Sequence, residues 1–500
     1  MKVIFTSFLL LISITLSAQN VNIPDANFKA YLIGNSLINT NGDNEIQVSE
    51  AESFTGEIDC YGKEISDLTG IERFVKLTNL DCSSNLLNSL DVSKNLELKI
   101  LDCTFNKLVG LDVSKNLSLI QLICIGNELG NLDLTKNTTL NYVNCAVNKL
   151  TTLDVSKNIN LNFLDASVNM LSELDVSKNT GLYLLHFSGN QIKNIDLSKN
   201  LMLRDLITSG NEITNLNIQN NVALTNLGCL ASNMTNLDIS KNTELRYLGC
   251  SINKLTNLDI SKNTKLETLD CQDNLLTNLD ISHNPLLNWF NISRNKFTTV
   301  DLSKSINLQE FFCNQNLLTS IDVSKNINLI SFSCFQNQIK NLDLTKNEKL
   351  TNLDCDQNSL TSLNLKNGHN FLILPLSNEN YRSFSSISNP DLKCIQVDNI
   401  NYSNTNWPNK DSWANYSTDC SLGVNDLKKS TTQIYPNPVK EKFIINSNDK
   451  IESVEIYSQT GQLLKTAKSK EVNISSLPKG NYLVKIKTDK ENITQKIIKE

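Results

Sequence analysis

The chain has 500 residues, of which 40% are hydrophobic and 20% are charged, and its formal net charge is −6 at pH 7. A nucleic-acid partner requires a basic face that neutralises phosphates, so this acidic balance argues against DNA or RNA binding. Beyond the first residues, no apolar stretch is long enough to cross a bilayer, and we therefore predict no transmembrane segment.

Residues 1–18 have the pattern of a secretory signal peptide. Lys2 precedes an apolar stretch over residues 3–16, and small residues stand at positions 17 and 18. This stretch is too short to span a bilayer. We therefore expect the chain to be exported and soluble after removal of residues 1–18.

Residues 19–57 are predicted to form an N-terminal cap, which begins with a helix signal from Pro24 to Leu32. Residues 39–50 resemble an EF-hand calcium loop, because oxygen-bearing side chains stand at positions 1, 3 and 5 and a glutamate stands at position 12. The loop departs from that pattern by having Asn39 in place of aspartate and Asn44 in place of glycine. A weak calcium site is one interpretation. The alternative is a metal-free polar turn, which the single aspartate among the first three ligands favours. The candidate ligands are Asn39, Asn41, Asp43, Glu45 and Glu50.

Residues 58–398 repeat with a period of 21, with the consensus L-x-x-L-D-C-x-x-N-x-L-x-x-L-D-V-S-K-N-x-x. A fixed short period predicts a solenoid. Leucine and cysteine are two residues apart in the first half of the consensus, as are leucine and valine in the second half. Each coil should therefore hold two short extended stretches, with alternate residues facing inward. An asparagine follows each stretch and should bond backbone groups that the turns leave unpaired.

The number of coils follows from the cysteine column. Thirteen steps of 21 residues separate Cys82 from Cys355, which gives fourteen regular coils. An irregular coil at Cys60 precedes them. Two degenerate coils are expected after them, at Leu374/Leu376 and at Ile395/Val397.

This pattern resembles the leucine-rich repeats, and specifically the short 21-residue class of internalin-like bacterial proteins. The resemblance implies a right-handed coil with a stack of parallel strands on one face, which commonly binds partners. Twenty-one residues leave no room for a long convex helix. The expected fold class is therefore mainly β, a right-handed leucine-rich-repeat solenoid with short parallel strands, followed by a small C-terminal β-sandwich.

The chain has thirteen cysteines, a number that in an exported protein usually indicates disulfides. Eleven of them fall in an inward column where other coils carry Ala166 or Phe187, which indicates a packing site. We expect free buried thiols there, with a metal ladder or disulfides as alternatives. Cys394 and Cys420 lie outside the column, and we expect them to form a single disulfide in a C-terminal cap loop over residues 399–425.

Residues 434–500 follow a predicted linker, residues 426–433, and depart from the repeat. They carry Tyr-Pro-Asn-Pro at 435–438, a V-x-I-Y-x-x-x-G-Q segment and an L-x-x-G-x-Y-L-V-K-I segment. This order resembles the type A sorting domain of the type IX secretion system. The resemblance implies the type IX secretion machinery as a partner and passage through the outer membrane of a diderm bacterium. A basic carbohydrate module is the alternative interpretation.

Two observations bear on chemistry. No G-x-S-x-G, H-E-x-x-H or glycine-rich phosphate loop is present, and the three histidines fall in different columns, so we expect no enzymatic activity. An aspartate column, typified by Asp112, should place carboxylates about 5 Å apart, where neighbours repel by about 1 kcal/mol in water. We expect hydrogen bonds from the residue two positions later to compensate, together with a parallel lysine column, and calcium is the alternative.

The outward strand positions are where the repeat varies, and variation on a constant scaffold is how repeat proteins carry binding sites. We predict an exported, cell-surface or secreted binding or adhesion protein that recognises a protein or glycan through its strand face. The alternatives are a structural spacer or surface-layer component without a specific ligand, and a domain that targets an enzyme in trans. The predicted contacts are Tyr247, Trp289, Phe312 and Phe335, with Tyr142 and Phe163 as a second group.

Overall fold

The computed structural model describes residues 19–374, 383–420, 432–447, 449–490 and 492–500. The predicted signal peptide, Leu376 of the predicted degenerate coil, residues 421–425 of the predicted cap loop and residues 426–431 of the predicted linker lie outside these residues. The chain divides into two compact units, Met1–Cys420 and Ser421–Glu500. No helix in the described ranges is long and apolar enough to cross a membrane.

The first unit begins with two short helices, α1 (Ala26–Ile33) and α2 (Val48–Ser53). The Asp25 carboxylate accepts the free N–H groups of Asn27 and Phe28 at the start of α1, as expected for an N-cap. Phe28 and Leu32 are fully buried and close the end of the solenoid core. The helix signal in the sequence is therefore located correctly.

The solenoid is built on one sixteen-stranded parallel sheet in which each coil adds one strand beside the last. Most of its strands have three residues, and the middle residue faces the core. A short 3-10 helix, Ile71–Arg73, lies between the first two strands. The strands are β1 (Gly56–Asp59), β2 (Leu77–Asp81), β3 (Ile100–Asp102), β4 (Gln121–Ile123), β5 (Tyr142–Asn144), β6 (Phe163–Asp165), β7 (Leu184–His186), β8 (Asp205–Ile207), β9 (Asn226–Gly228), β10 (Tyr247–Gly249), β11 (Thr268–Asp270), β12 (Trp289–Asn291), β13 (Glu310–Phe312), β14 (Ser331–Ser333), β16 (Asn352–Asp354) and β18 (Phe384–Ser385).

An asparagine that follows most of the strands ties neighbouring coils together. Asn106 Nδ2 donates to the carbonyl of Cys82 at 3.0 Å and to that of Cys103 at 3.1 Å, while its Oδ1 accepts the N–H of Leu87 at 3.0 Å. Buried backbone groups that the turn leaves without ladder partners are thereby satisfied. The predicted role of this column, to bond backbone groups at the turns, is confirmed.

The second stretch of each coil has its alternate residues buried as predicted, for example Leu111 and Val113, but in most described coils it does not pair into a sheet. A second parallel sheet exists only near the end of the first unit, formed by β15 (Asn341–Asp343), β17 (Ser362–Asn364), β19 (Cys394–Gln396) and β20 (Asn415–Ser417). In the regular coils, asparagine side chains donate to backbone carbonyls of the neighbouring coil in place of a second sheet. Asn116 Nδ2, for example, donates to Val92 O at 3.0 Å and to Asn95 O at 2.9 Å.

The last coils differ from the predicted spacing. Leu374 is 62% exposed, and the inward strand position that follows Leu353 is taken by Phe384 instead. The prediction of a coil at Leu374/Leu376 is therefore wrong, because this coil contains an insertion. Ile395 pairs with Leu363 in the second sheet, so Ile395/Val397 is the second stretch of a coil and not its first.

Residues 399–420, the described part of the segment predicted as a C-terminal cap loop, contain regular secondary structure. They contain helix α3 (Ile400–Asn406) and strand β20, which pairs with β19, and a 3-10 helix, Asn370–Leu372, precedes them. Trp407 is 1% exposed and its ring lies 4.8 Å from that of Phe384, which covers the open end of the core. Cys394 and Cys420 are joined by a disulfide, with Cα atoms 5.8 Å apart.

The second unit consists of seven strands in the part of the chain that the structure describes. They form two antiparallel sheets that enclose one apolar core around Phe443 and Val484. The order in one sheet is β21-β22-β25, and in the other β24-β23-β26-β27. The strands are β21 (Gln433–Tyr435), β22 (Lys442–Asn446), β23 (Ile451–Tyr457), β24 (Leu463–Ala467), β25 (Glu471–Asn473), β26 (Gly480–Thr488) and β27 (Asn492–Lys499).

Candidate functional site

The predicted contacts lie on one surface, which we call the strand face. It is formed by the first and third residues of β3–β14 and by the residue two positions after each strand's last residue. Strand alternation makes the first and third residues point outward, and most of them are half-buried, while the middle residues are fully buried. Phe290, Phe311 and Phe332 occupy middle positions, and their rings stack inside the core at 5.5 and 5.7 Å. Trp289 and Phe312 therefore project from the face beside a rigid aromatic core.

Three predicted aromatic side chains converge on one feature, which we call the aromatic depression. Trp289, Phe312 and Phe335 line a cavity of about 270 Å³ in the strand face. The rings of Trp289 and Phe312 lie 5.6 Å apart and are tilted by 49°, so they form two walls rather than a closed stack. The other lining residues are Gln272, Asn291, Ser293, Arg294, Asn314 and Gln315.

Hydrogen bonds fix the amides of the aromatic depression in one orientation. The N–H of Ser293 donates to Asn291 Oδ1 at 3.0 Å, and Asn291 Nδ2 donates to Gln272 Oε1 at 2.9 Å. The N–H of Phe335 donates to Asn314 Oδ1 at 3.0 Å. A backbone N–H can only donate, so the amide atom that accepts from it must be the oxygen. Each of these chains of hydrogen bonds, which we call an amide relay, therefore fixes the orientation of its amide groups.

Charge in the aromatic depression is balanced. Arg294 Nη1 donates to Asp273 Oδ2 at 2.9 Å, and Arg294 Nε donates to Gln315 Oε1 at 2.8 Å. No carboxylate lines the cavity. The site therefore presents aromatic surface and amides with one paired cation.

Tyr247 does not line the aromatic depression. Its hydroxyl oxygen lies 2.8 Å from the point that a Cβ at position 249 would occupy, so the ring covers Gly249 on the same face. A side chain at that position would displace the ring. The prediction that Tyr247 belongs to the same group as Trp289 has no support in this geometry.

The rings of Tyr142 and Phe163 form the second predicted group. They lie 3.9 Å apart with an angle of only 11° between their planes, because they occupy equivalent positions in adjacent strands. Each ring covers a face of the other. Stacking therefore leaves less aromatic surface of Tyr142 and Phe163 available to a ligand than remains on Trp289 and Phe312.

Two features of the strand face escaped sequence reasoning. The amide relays were missed, although Asn291 and Asn314 stand at outward positions beside the aromatic residues. The left-handed turn after each strand was also missed, although glycine at position 126 and its equivalents signals it. Val147 and Val168 occupy this turn with φ of 57° and 54°, values that are rare for β-branched residues, and both are exposed.

The aspartate column is explained by local hydrogen bonds. Each carboxylate accepts the N–H of the serine or threonine two residues later at 2.8 to 3.0 Å. The N–H of Ser114 and then its hydroxyl lower the pKa of Asp112, and Lys115 adds to the effect. The expected turn bonds are present, and they stabilise the ionised form of these carboxylates. The residues are Asp91, Asp112, Asp133, Asp154, Asp175, Asp196, Asp238, Asp259, Asp280, Asp301, Asp322 and Asp343.

The N-terminal loop that resembles a calcium site is held by its own hydrogen bonds. Glu50 Oε1 accepts the N–H of Thr40 at 2.8 Å, and Oε2 accepts the N–H of Gln47 at 3.0 Å. Burial acts to raise the pKa of Glu50, but these bonds outweigh it and the net pKa is lowered. Asp43 Oδ1 accepts the N–H of Glu45 at 2.7 Å.

The remaining candidate ligands are engaged in the same way. Asn39 Oδ1 accepts the N–H of Gly42, Asn41 Oδ1 accepts the N–H of Asp43, and Glu45 pairs with Lys29. In the described ranges, no three His, Cys, Asp or Glu side chains are grouped so that they could hold a metal. Each of these candidate ligand groups therefore already has a hydrogen-bond or ion-pair partner within the protein. The metal-free polar turn stays the favoured prediction, with a weak calcium site as the alternative.

The inward cysteines are unbridged and buried. All eleven of them are free thiols. Burial raises the pKa of Cys60, Cys145 and Cys229 to about 12, so these thiols are neutral and weakly reactive at ordinary pH. The column is a packing feature of the solenoid.

The two units match different known proteins. Residues 433–500 match the family described as the secretion system C-terminal sorting domain. The functional domain of InlJ from Listeria monocytogenes, described as including a cysteine ladder, has 25% sequence identity to the chain, with 97% of this chain and 100% of that one covered and a TM-score of 0.66. The chain is a leucine-rich-repeat protein with a C-terminal secretion sorting domain.

A second leucine-rich-repeat protein supports the same fold. The structure of a leucine-rich-repeat protein from Leptospira interrogans has 18% identity to the chain, with 74% of this chain and 97% of that one covered and a TM-score of 0.59. A search of curated proteins gave no match. The leucine-rich-repeat protein described here therefore has a known fold and a sorting domain that indicates export.

Proposed function

We propose that this exported leucine-rich-repeat protein is a binding or adhesion protein that recognises a protein or glycan through its strand face. The observation that carries the proposal is the convergence of three aromatic rings on one open depression. Large rings that are tilted apart on an accessible surface are typical of binding hot spots. The chemistry proposed for this surface is recognition, without catalysis.

The interior of the coil supports this proposal indirectly. The buried middle residues beside Trp289 and Phe312 hold the strands in place, so the outward rings are not required for the core. Truncation of a central aromatic contact typically costs about 2 kcal/mol of binding free energy, which is about thirtyfold in affinity. The same truncation should leave the free energy of unfolding nearly unchanged.

The proposed location follows from the sorting domain. A chain with such a domain is expected to pass the outer membrane of a diderm bacterium through the type IX secretion machinery and to act at the cell surface or after release. Tyr142 and Phe163 are proposed as a second contact on the same face. Because their rings stack on each other, we expect their contribution to be smaller than that of the aromatic depression.

The test is a binding comparison on arrays of glycans and proteins. The full exported chain is compared with its Trp289→Ala and Phe312→Ala variants and with Phe105→Ala as the control. Phe105 is 60% exposed and does not line the aromatic depression. We expect ligands of the wild-type chain to bind about thirtyfold more weakly to the first two variants and equally well to the control.

Two results would contradict the proposal. A wild-type chain that retains no array ligand would support the structural spacer. Ligands that bind Trp289→Ala and Phe105→Ala with the wild-type affinity would place recognition elsewhere on the molecule.

A further inference from the structure

The amide groups of the aromatic depression keep free hydrogen-bond donors. Gln272 Oε1 and Asn314 Oδ1 are both occupied as acceptors by the relays. Within the described part of the chain, neither Gln272 Nε2 nor Asn314 Nδ2 donates to a protein atom. Because both residues line the cavity, their N–H groups are available to a ligand.

The surface beside these donors is aromatic. Trp289 and Phe312 form tilted walls and Phe335 lines the same cavity. A ligand that satisfies both kinds of surface needs an apolar face for the rings and oxygen acceptors at its edge for the amides. A pyranose ring has both, since its C–H groups form apolar patches and its hydroxyl and ring oxygens lie at the edge.

The charge of the site favours a neutral ligand. Arg294 is already paired with Asp273, and no carboxylate is among the residues that line the cavity, although Glu310 lies beside Trp289 in the sheet. The cavity volume of about 270 Å³ is slightly below the roughly 300 Å³ at which small-molecule pockets begin. An open cavity of this size suits one or two units of a polymer better than an isolated small molecule.

We propose that the aromatic depression binds a hexopyranosyl unit of a neutral polysaccharide, with the sugar face against Trp289 and Phe312 and its oxygens accepting from Gln272 and Asn314. This inference rests on the proposed function and specifies its ligand class. A protein loop that presents backbone carbonyls is the competing occupant.

The test is affinity electrophoresis of the full exported chain in gels that contain dextran, amylopectin, galactomannan or xyloglucan. We expect at least one of these neutral polysaccharides to retard the wild-type chain. Asn314→Asp and Gln272→Glu keep the oxygen that accepts in each relay but remove the free N–H donors. Each should therefore weaken retardation about tenfold or more, as should Trp289→Ala.

The matched control is Gln336→Glu, which adds the same charge one coil after Asn314. Gln336 accepts from Gln315 but does not line the aromatic depression, so this variant should be retarded like the wild-type chain. Absence of retardation by all four polysaccharides would overturn the inference.

The outcomes separate this inference from the proposed function. A protein ligand could bind in a way that depends on Trp289 while no polysaccharide retards the chain. In that case the proposed function stands, and the assignment of a polysaccharide ligand is wrong. If a polysaccharide retards Asn314→Asp and the wild-type chain equally, the site of contact is wrong.

Discussion

The interior of the coil and the strand face follow opposite rules. Inside, the same residue types recur in coil after coil, and each side chain has the same partners as its equivalent 21 residues away. On the strand face, equivalent positions carry tryptophan, glutamate or serine in successive strands. The comparison indicates that repetition maintains the fold, while departure from repetition marks the surface that we propose as the binding site.

The two asparagine columns refine the comparison, because they are not equally bonded. Asn316, in the first column, donates from Nδ2 to Ile292 O and Cys313 O and accepts the N–H of Phe297. Asn326, in the second column, donates twice, but its buried Oδ1 has no partner among the described residues. The first column should therefore contribute more to stability.

The largest effect is expected for Asn316→Ala. The substitution leaves several buried backbone groups without partners, each of which costs about 1–3 kcal/mol, so we expect about 3 kcal/mol or more of lost stability. Urea unfolding of the full chain, followed by circular dichroism, measures it. The control is Asn328→Ala in the same coil, where a half-buried side chain donates to Ile306 O near the surface and we expect a much smaller change. Equal stability of the two variants would contradict the claim that the side chains repeated inside every coil maintain the fold.

A smaller loss is expected at the capped end of the solenoid, for Glu50→Gln. The carboxylate accepts backbone N–H groups, and hydrogen bonds to a charged group are worth about 2 kcal/mol, so we expect a loss of that size at neutral pH. The pKa of Glu50 is lower in the folded chain than its usual value, near 4.5. Its contribution is therefore complete above pH 4.5 and is lost as the pH falls through the lowered pKa.

The pH dependence and the calcium prediction are checked together. Thermal unfolding of the wild-type chain should show a loss of stability below the usual pKa of glutamate, and Glu50→Gln should show less of it. Because the loop oxygens are already occupied, we expect calcium or a chelator to leave the melting temperature unchanged. A melting temperature that falls on chelation in the wild-type chain, but not in Glu50→Gln, would instead establish the calcium site.

For the second asparagine column, Asn326→Ala should cost about 1 kcal/mol, clearly less than Asn316→Ala. The substitution loses two donated bonds but also removes an oxygen that is buried without a partner. The same urea experiment gives both values. A loss as large as that of Asn316→Ala would show that the two columns are equivalent.

At the left-handed turns that follow the strands, a substitution should raise the stability of the chain instead of lowering it. Val147→Gly replaces a β-branched residue at φ 57° with glycine, which other coils carry at this position, and we expect a gain of about 1 kcal/mol. Val109→Gly is the matched control, because Val109 is 69% exposed and does not have positive φ. If Val147→Gly destabilises the chain as Val109→Gly does, the backbone strain is absent.

The fold was largely predictable, because a period of 21 places every inward residue in a column. The aspartate turns and the first asparagine column also follow from local chemistry. The insertion before Phe384 and the absence of a second strand in most coils did not follow, since both depend on backbone bonds between coils. The positions of Trp289 and Phe312 followed from strand alternation. The tilt between their rings and the amide relays arise from contacts across strands and needed the structure.

Tryptophan fluorescence tests most directly whether the aromatic depression is the binding site. The chain has three tryptophans; Trp407 is buried and Trp413 is 45% exposed in the C-terminal cap. In a Trp413→Phe chain, acrylamide quenching therefore reports mainly on Trp289, and it is measured with and without a saturating polysaccharide or array protein. The account predicts that bound ligand protects Trp289 from quenching. Quenching that is unchanged at saturation would contradict the assignment of the aromatic depression as the recognition site.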